Sequence, residues 1–140
     1  LTGDSFDQVY CVFDRDRHTT SDAAVQRTKD LSAAGKPLLA ITSTPCFEVW
    51  LLLHFCYSDQ PFHPIGRKSV GDQVVLALKS MDGFSKYGKG QKGIYAKLKD
   101  KLTDAFTNAE RLREQGKAMG SINPATDVDE LVKAIKALAP

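Results

Sequence analysis

The fold is decided by residues 9–42, which begin with Val-Tyr-Cys-Val-Phe at positions 9–13 and end with Leu-Leu-Ala-Ile-Thr at positions 38–42. Both runs are short, continuous and apolar, as is typical of strands buried in a parallel sheet. Between them, apolar side chains recur at helical spacing over residues 24–31, and Gly35 offers a left-handed stop. The order strand, helix, strand predicts a βαβ unit with two parallel strands.

The chain beyond this unit is predicted to be mainly helical. Pro45 is well placed in the first turn of a helix over residues 46–55, which is apolar nearly all round and therefore buried. Further helices are predicted over residues 70–81, 94–115 and 127–138, the second with a break near Thr103 and the last capped by residues 123–126. Residues 57–68 and the mobile segment 83–93 are expected to be loops. We expect one α/β domain over residues 1–140, with a βαβ core and buried helix in 1–56 and a mainly helical part in 57–140.

Composition excludes several classes of protein. Of the 140 residues, 42% are hydrophobic and 26% charged, which is an ordinary globular mix and not that of a disordered chain. The net charge of +2 is too small for a non-specific polyanion binder, so any contact with nucleic acid must be local. The longest apolar run, residues 49–55, is interrupted by His54 and is far shorter than the roughly 20 residues that span a bilayer. We therefore expect no membrane association.

The expected location is the cytoplasm. There is no secretory signal pattern, and the three cysteines, Cys11, Cys46 and Cys56, form no CxxC pair and lie among apolar residues. They are interpreted as buried free thiols in a reducing compartment. The chain begins with Leu1 rather than Met, which indicates a processed piece or one without its natural beginning.

Two carboxylates follow the first predicted strand, Asp14 and Asp16. Ligands of parallel α/β sheets bind beyond the carboxyl ends of the strands, and two carboxylates there can hold Mg²⁺ or Mn²⁺, which prefer oxygen ligands. The same pair can instead cap a helix or bond to its own backbone at a turn. Spacing alone leaves both alternatives open.

Glu48 and His54 lie in the otherwise apolar helix predicted after the second strand. If the two strands are parallel neighbours, Glu48 starts this helix at the edge that holds Asp14 and Asp16, and three carboxylates are expected to converge there. Glu48 would then support metal binding or catalysis; otherwise it is an acid in a helix's first turn or the partner of a Lys or Arg. His54 is either a hydrogen-bonded core histidine or a proton carrier. A zinc site is not favoured, because the Cys and His spacings match no common arrangement.

Basic residues cluster at two places, Arg67-Lys68 and the glycine-rich segment that holds Lys86, Lys89 and Lys92. Arg67 and the three lysines are candidates for binding substrate phosphate, with Tyr87 interleaved among the lysines. The alternative is a solvated, flexible loop.

Read in order, three stretches make this chain resemble the RloB family: residues 12–16 (VFDRD), residues 43–55 (STPCFEVWLLLHF) and residues 123–132 (NPATxVxxLV). The Phe-Glu-x-Trp-x-x-x-His part is far more specific than Asp-x-Asp, and the likeness extends over most of the chain. The family occurs in prokaryotic restriction-modification and phage-defence loci. The resemblance implies a Toprim-like, Rossmann-like α/β domain with a small parallel sheet, the metal-binding fold of topoisomerases, primases and overcoming-lysogenization-defect nucleases.

Toprim sites join an acidic residue after an early strand to an Asp-x-Asp after a later one. Asp14 and Asp16 match the second element, but no acid follows an apolar strand ahead of them. Either the N-terminal strand is lacking from this chain, or Glu48 supplies the third acid. The resemblance thus implies a Mg²⁺- or Mn²⁺-dependent nuclease-like or phosphoryl-transfer domain, or else a non-catalytic subunit that binds nucleic acid, a nucleotide or a defence-system protein.

Overall fold

A computed structural model describes residues 5–16 and 19–139. Each helix and strand is named here in chain order. They are β1 (Val9–Asp14), α1 (Thr20–Ala33), β2 (Leu38–Thr44), α2 (Glu48–Leu52), α3 (Val70–Lys79), α4 (Ile94–Leu98), a 3-10 turn (Lys99–Lys101), α5 (Leu102–Met119), β3 (Ala125–Thr126) and α6 (Val128–Ala137). The chain is therefore an α/β protein with a mainly helical second half, as predicted.

The βαβ unit is confirmed. β1 and β2 are parallel neighbours, in a register that begins with Val9 opposite Leu38 and ends with Asp14 opposite Ser43. Helix α1 connects them, and Gly35, which follows it, has a φ of 83°, the left-handed conformation that was predicted to stop this helix. The carboxyl ends of both strands therefore lie at one edge of the sheet.

The prediction of a purely parallel sheet is wrong. β3 pairs antiparallel with β2, with Ser43 opposite Thr126 and Thr44 opposite Ala125, so the three-stranded sheet has the order β1-β2-β3 and is mixed. Residues 125 and 126 thus belong to a strand instead of the predicted cap of α6, whose N-cap is Asp127. The physical reason is that Ser43 and Thr44 are buried, and their backbone groups need partners there.

The helix predicted over residues 46–55 is shorter than expected. Only α2 is regular helix, and residues 53–55 continue as a turn. Its predicted burial is confirmed, since all five residues of α2 are buried. α2 packs against α3 and α5, and Val49 and Trp50 belong to the main apolar core. This short, buried helix directly follows the sheet edge that holds Asp14.

The segment 83–93 contains neither helix nor strand, as predicted, but it is attached to the core. Phe84 and Tyr87 are 2% and 7% exposed and pack in the main apolar cluster. Their rings lie 6.0 Å apart between centroids, and the Phe84 ring meets that of Phe55 edge-on at 5.3 Å. Two aromatic anchors therefore determine where the lysines of this segment lie.

No helix within residues 5–16 and 19–139 is both long and apolar enough to cross a membrane. The three cysteines are free, as expected, but only Cys46 is buried, while Cys11 and Cys56 are half-buried.

Candidate functional site

The carboxyl end of β1 contacts the beginning of α2. Asp14 Oδ1 accepts a hydrogen bond of 2.8 Å from the backbone N–H of Phe47, which immediately precedes α2. The register of β1 and β2 causes this contact, because it places Asp14 beside Ser43, five residues before Glu48. The prediction that Asp14 and the turn before Glu48 share one sheet edge is confirmed.

Asp14 carries a charge that its surroundings do not fully compensate. Partial burial raises the pKa of Asp14, and the nearby carboxylates of Glu48 and Asp16 raise it further. The Phe47 N–H and the Lys89 ammonium act in the opposite direction, but the pKa remains above its usual value. The ionised form of Asp14 is therefore disfavoured at this edge of the sheet.

Glu48 is 4% exposed and has partners from the segment 83–93. The Tyr87 hydroxyl donates to Glu48 Oε1 at 3.2 Å, and Lys89 Nζ lies 3.7 Å from the same oxygen. Burial, together with the neighbouring Glu48 carboxylate, raises the pKa of Tyr87 to about 12 and that of the Cys46 thiol to about 12. One of the alternatives predicted for Glu48 was that it pairs with a Lys or Arg. Lys89 is this partner.

Two clefts meet at Asp14 and Lys89, which line both of them. The apolar cleft has a volume of about 560 Å³ and includes Trp50, Leu51, Tyr95, Leu98 and Val132 in its lining, together with Glu48 and His54. The polar cleft, of about 770 Å³, is lined among others by Arg15, Asp16, Asp22 and His63 and by the first residues of α3. Arg15 and Asp22 form an ion pair there.

The three carboxylates are divided between these clefts. Asp14 lines both clefts and Asp16 only the polar one, whereas Glu48 lines only the apolar one, because its side chain is directed towards Tyr87. Within residues 5–16 and 19–139, no group of three or more His, Cys, Asp or Glu side chains is arranged to hold a metal ion. The expected convergence of three carboxylates is therefore not found there.

His54 is buried and bonded to the backbone, which was one of the two alternatives. Its Nδ1 lies 2.9 Å from the Trp50 carbonyl oxygen, and its ring meets the Trp50 ring edge-on at 4.7 Å. Because a carbonyl oxygen only accepts, Nδ1 carries the proton. Burial lowers the pKa of His54 below 6.5, so the ring is neutral at pH 7 and Nε2 presents a lone pair.

The four basic candidates are not equivalent. Arg67, Lys86 and Lys92 are exposed and line neither cleft, whereas Lys89 lines both. Sequence reasoning did not single out Phe47 and Tyr95, and it treated Tyr87 only as an aromatic among lysines. The burial of Tyr87 could have been predicted, because two aromatic residues three positions apart, Phe84 and Tyr87, stand in an otherwise polar segment.

The fold and these clefts define a small α/β protein with a carboxylate-bearing cleft at the carboxyl ends of two parallel strands. The chain belongs to the RloB-like protein family, which matches residues 1–135 of the 140. No curated protein and no solved structure shows significant similarity to it.

The raised pKa of Asp14 predicts that Asp14→Asn stabilises the fold at pH 7. The folded protein disfavours the charged Asp14 carboxylate, and this lowers the free energy of unfolding. The destabilisation is fully present above the raised pKa, and it is absent below the usual value of 3.8, where Asp14 is protonated in both the folded and the unfolded protein. Asn retains an acceptor for the Phe47 N–H. Thermal unfolding should give a higher midpoint for the variant at pH 7, with the difference vanishing below about pH 3.8.

Asp14→Ala is the matched control for this prediction, since it removes the acceptor as well as the charge. It should lower the free energy of unfolding by about 1 kcal/mol relative to Asp14→Asn at every pH. A lower midpoint for Asp14→Asn than for the unaltered protein at pH 7 would contradict the electrostatic argument.

Proposed function

We propose that the protein is a divalent-cation-dependent, nuclease-like or phosphoryl-transfer domain of a prokaryotic restriction or phage-defence system. The observation that carries this proposal is the polar cleft at the end of β1, where Asp14 and Asp16 lie at the edge on which parallel α/β sheets bind ligands. Family membership supports the setting in a defence system, and the chemistry of the cleft supports the reaction class.

The charges of the polar cleft suit a bound cation. Among residues 5–16 and 19–139, its lining has three carboxylates, Asp14, Asp16 and Asp22, against the two cations Arg15 and Lys89. A phosphate would meet net repulsion from this set, so an additional positive charge would strengthen its binding. Mg²⁺ is commonly held by one or two carboxylates together with waters and substrate phosphates, and a third protein ligand is not needed. Asp14 and Asp16 therefore fit the ion that the resemblance implies.

Each residue has a distinct role in this proposal. Asp14 and Asp16 would hold Mg²⁺ or Mn²⁺, and the Phe47 N–H orients the Asp14 carboxylate. A bound divalent cation would supply charge neutralisation for the phosphoryl group and a more acidic water. Lys89 would bind substrate phosphate at the junction of the two clefts, and Glu48 positions the Lys89 ammonium through their 3.7 Å contact. His54 would accept a proton or a hydrogen bond at Nε2.

Calorimetric titration with Mg²⁺ and Mn²⁺ tests the metal site. The unaltered protein should bind one ion, and the Asp14→Asn, Asp16→Asn double variant should lose at least about tenfold in affinity. Asp82→Asn, which removes an exposed carboxylate outside both clefts, is the matched control and should bind as the unaltered protein does. Equal affinity in the double variant would refute this site.

A non-catalytic subunit that binds nucleic acid, a nucleotide or a protein partner is the second candidate. It is favoured by the absence of a three-ligand metal group within the described residues and by the net charge of only +2. This alternative predicts ligand binding that is unchanged by EDTA and by the double variant. Loss of binding on chelation would favour the metal-dependent function instead.

A further inference from the structure

We infer that the apolar cleft binds the base of an unpaired nucleotide whose phosphate lies at Lys89. This inference rests on the proposed function, because it specifies the substrate unit that the polar cleft would act on. The cleft adjoins the Asp14 edge, and its apolar walls have no role in the proposed reaction. Its size, its walls, its polar groups and its connection to the polar cleft all bear on the ligand.

The dimensions and walls suit a flat, mainly apolar group. A volume of about 560 Å³ lies within the range of about 300–1,000 Å³ typical of small-molecule sites. The rings of Trp50 and Tyr95 line it together with aliphatic side chains. Tyr95 is 71% exposed, so most of its aromatic surface is in contact with water, which is unfavourable. A base stacked on the ring would remove part of this surface from water.

The polar groups distinguish a nucleobase from a purely hydrocarbon ligand. His54 lines the apolar cleft, and its Nε2 has no hydrogen-bond partner among residues 5–16 and 19–139. Its lone pair can accept a hydrogen bond from the ring or exocyclic N–H groups that nucleobases carry on their edges. A hydrocarbon would leave this acceptor without a partner in the cleft, which is unfavourable.

The connection between the clefts places the phosphate. Lys89 lines both clefts, and its side chain is 65% exposed and only loosely paired with Glu48 at 3.7 Å. A nucleotide with its base beside Tyr95 can therefore direct its phosphate to Lys89, where the two clefts meet. A base stacked within a duplex cannot enter a cleft of this kind, which restricts the ligand to free nucleotides, single strands or flipped-out bases.

Titration with the four nucleoside monophosphates tests the inference, with ribose 5-phosphate as the control that lacks a base. Trp50 is the only tryptophan of the chain and lines the cleft, so its fluorescence reports occupancy, and calorimetry provides a second signal. At least one nucleotide should bind more tightly than ribose 5-phosphate, both in EDTA and in Mg²⁺. A single-stranded oligonucleotide should compete with it, whereas a blunt duplex should not.

Tyr95→Ala is the informative variant, because an exposed side chain can be removed without disturbing the core. It should weaken nucleotide binding about tenfold, in keeping with the loss of one stacking partner. Ile65→Ala removes a similarly exposed apolar side chain outside the cleft and should have no effect.

The outcomes separate this inference from the proposed function. Binding that depends on the base and on Tyr95, but gains nothing from Mg²⁺, would support the base site and count against the metal-dependent reaction. Ribose 5-phosphate that binds as well as the nucleotides, or a Tyr95→Ala variant that retains full affinity, would overturn the base site whatever the metal does. Failure of all nucleotides to bind by calorimetry in either condition would overturn it as well.

Discussion

Arg113→Met is expected to lower the free energy of unfolding by about 3 kcal/mol. Two guanidinium nitrogens of Arg113 each donate to one oxygen of the Asp129 carboxylate at 2.9 Å, and Asp129 is 0% exposed. The same guanidinium donates to the Thr126 carbonyl at 3.0 Å, so it connects α5 with β3 and α6. Loss of Arg113 would leave a buried carboxylate without its main partner, which is far costlier than loss of a surface pair.

The expected value is at the lower end of the range for broken buried ion pairs, about 3–5 kcal/mol, because some compensation remains. Lys133 Nζ lies 3.5 Å from Asp129, and the Arg113 side chain is itself 21% exposed. Urea unfolding at pH 7 measures the change. Arg111→Met is the matched control: Arg111 lies over the Tyr57 ring at 3.8 Å on the surface, and its loss should cost no more than about 1 kcal/mol.

The double variant Arg113→Met, Asp129→Leu distinguishes two causes of the destabilisation, an unpaired buried charge on Asp129 and the loss of packing by the Arg113 side chain. Removing both charges should restore most of the stability, because the large cost comes from the uncompensated carboxylate. A double variant as unstable as Arg113→Met would show that the arginine acts through its packing. A single variant within about 0.5 kcal/mol of the unaltered protein would refute the role of the pair altogether.

Under the proposed function, Lys89→Met should reduce kcat/KM for metal-dependent cleavage of nucleic acid about 100-fold, the usual effect of removing one group that stabilises charge in a transition state. Lys89 lines both clefts at the point where they meet, and its ammonium lies beside Glu48. The fold should lose about 1 kcal/mol, because the Lys89 ammonium is exposed and 3.7 Å away, but its partner Glu48 is buried and would keep only the Tyr87 hydroxyl as a donor.

Lys86→Met and Lys92→Met are matched controls from the same segment. Both lysines are exposed and line neither cleft, so each substitution should change kcat/KM less than about threefold, through the general field of the protein alone. The assay would use the full-length protein with Mg²⁺ and pooled single-stranded oligonucleotides. Similar losses for all three variants would mean that the segment acts only as a diffuse positive surface, and the assignment to Lys89 would be wrong.

The central part of the fold could be predicted from the sequence because it depends on local patterns. Two apolar runs separated by an amphipathic segment and Gly35 indicated the βαβ unit, and parallel pairing then placed Asp14 near the turn before Glu48. The Phe47 N–H bond to Asp14 is the direct consequence of that register. Patterns with periods of a few residues report local conformation well.

Longer-range arrangements could not be predicted in this way. β3 has only two residues and no strand pattern, and it forms because the buried end of β2 needs backbone partners. Ser43 finds its partner in Thr126, 83 residues further along the chain, and their side-chain oxygens also lie 2.8 Å apart. No local signal reports such a contact.

The sequence by itself determined the α/β class, the parallel βαβ unit, the carboxylates at its edge and the likeness to the RloB-like family. Only the tertiary structure decided that Glu48 belongs to the apolar cleft, that Lys89 alone of the four basic candidates lines the clefts, and that Tyr95 and His54 line the same cavity. The physical reason is that the backbone conformation of a segment and its pattern of burial depend mainly on residues that are close together in the sequence. The direction of a side chain depends instead on packing between distant segments, here the Phe84 and Tyr87 anchors that bring Lys89 to Glu48.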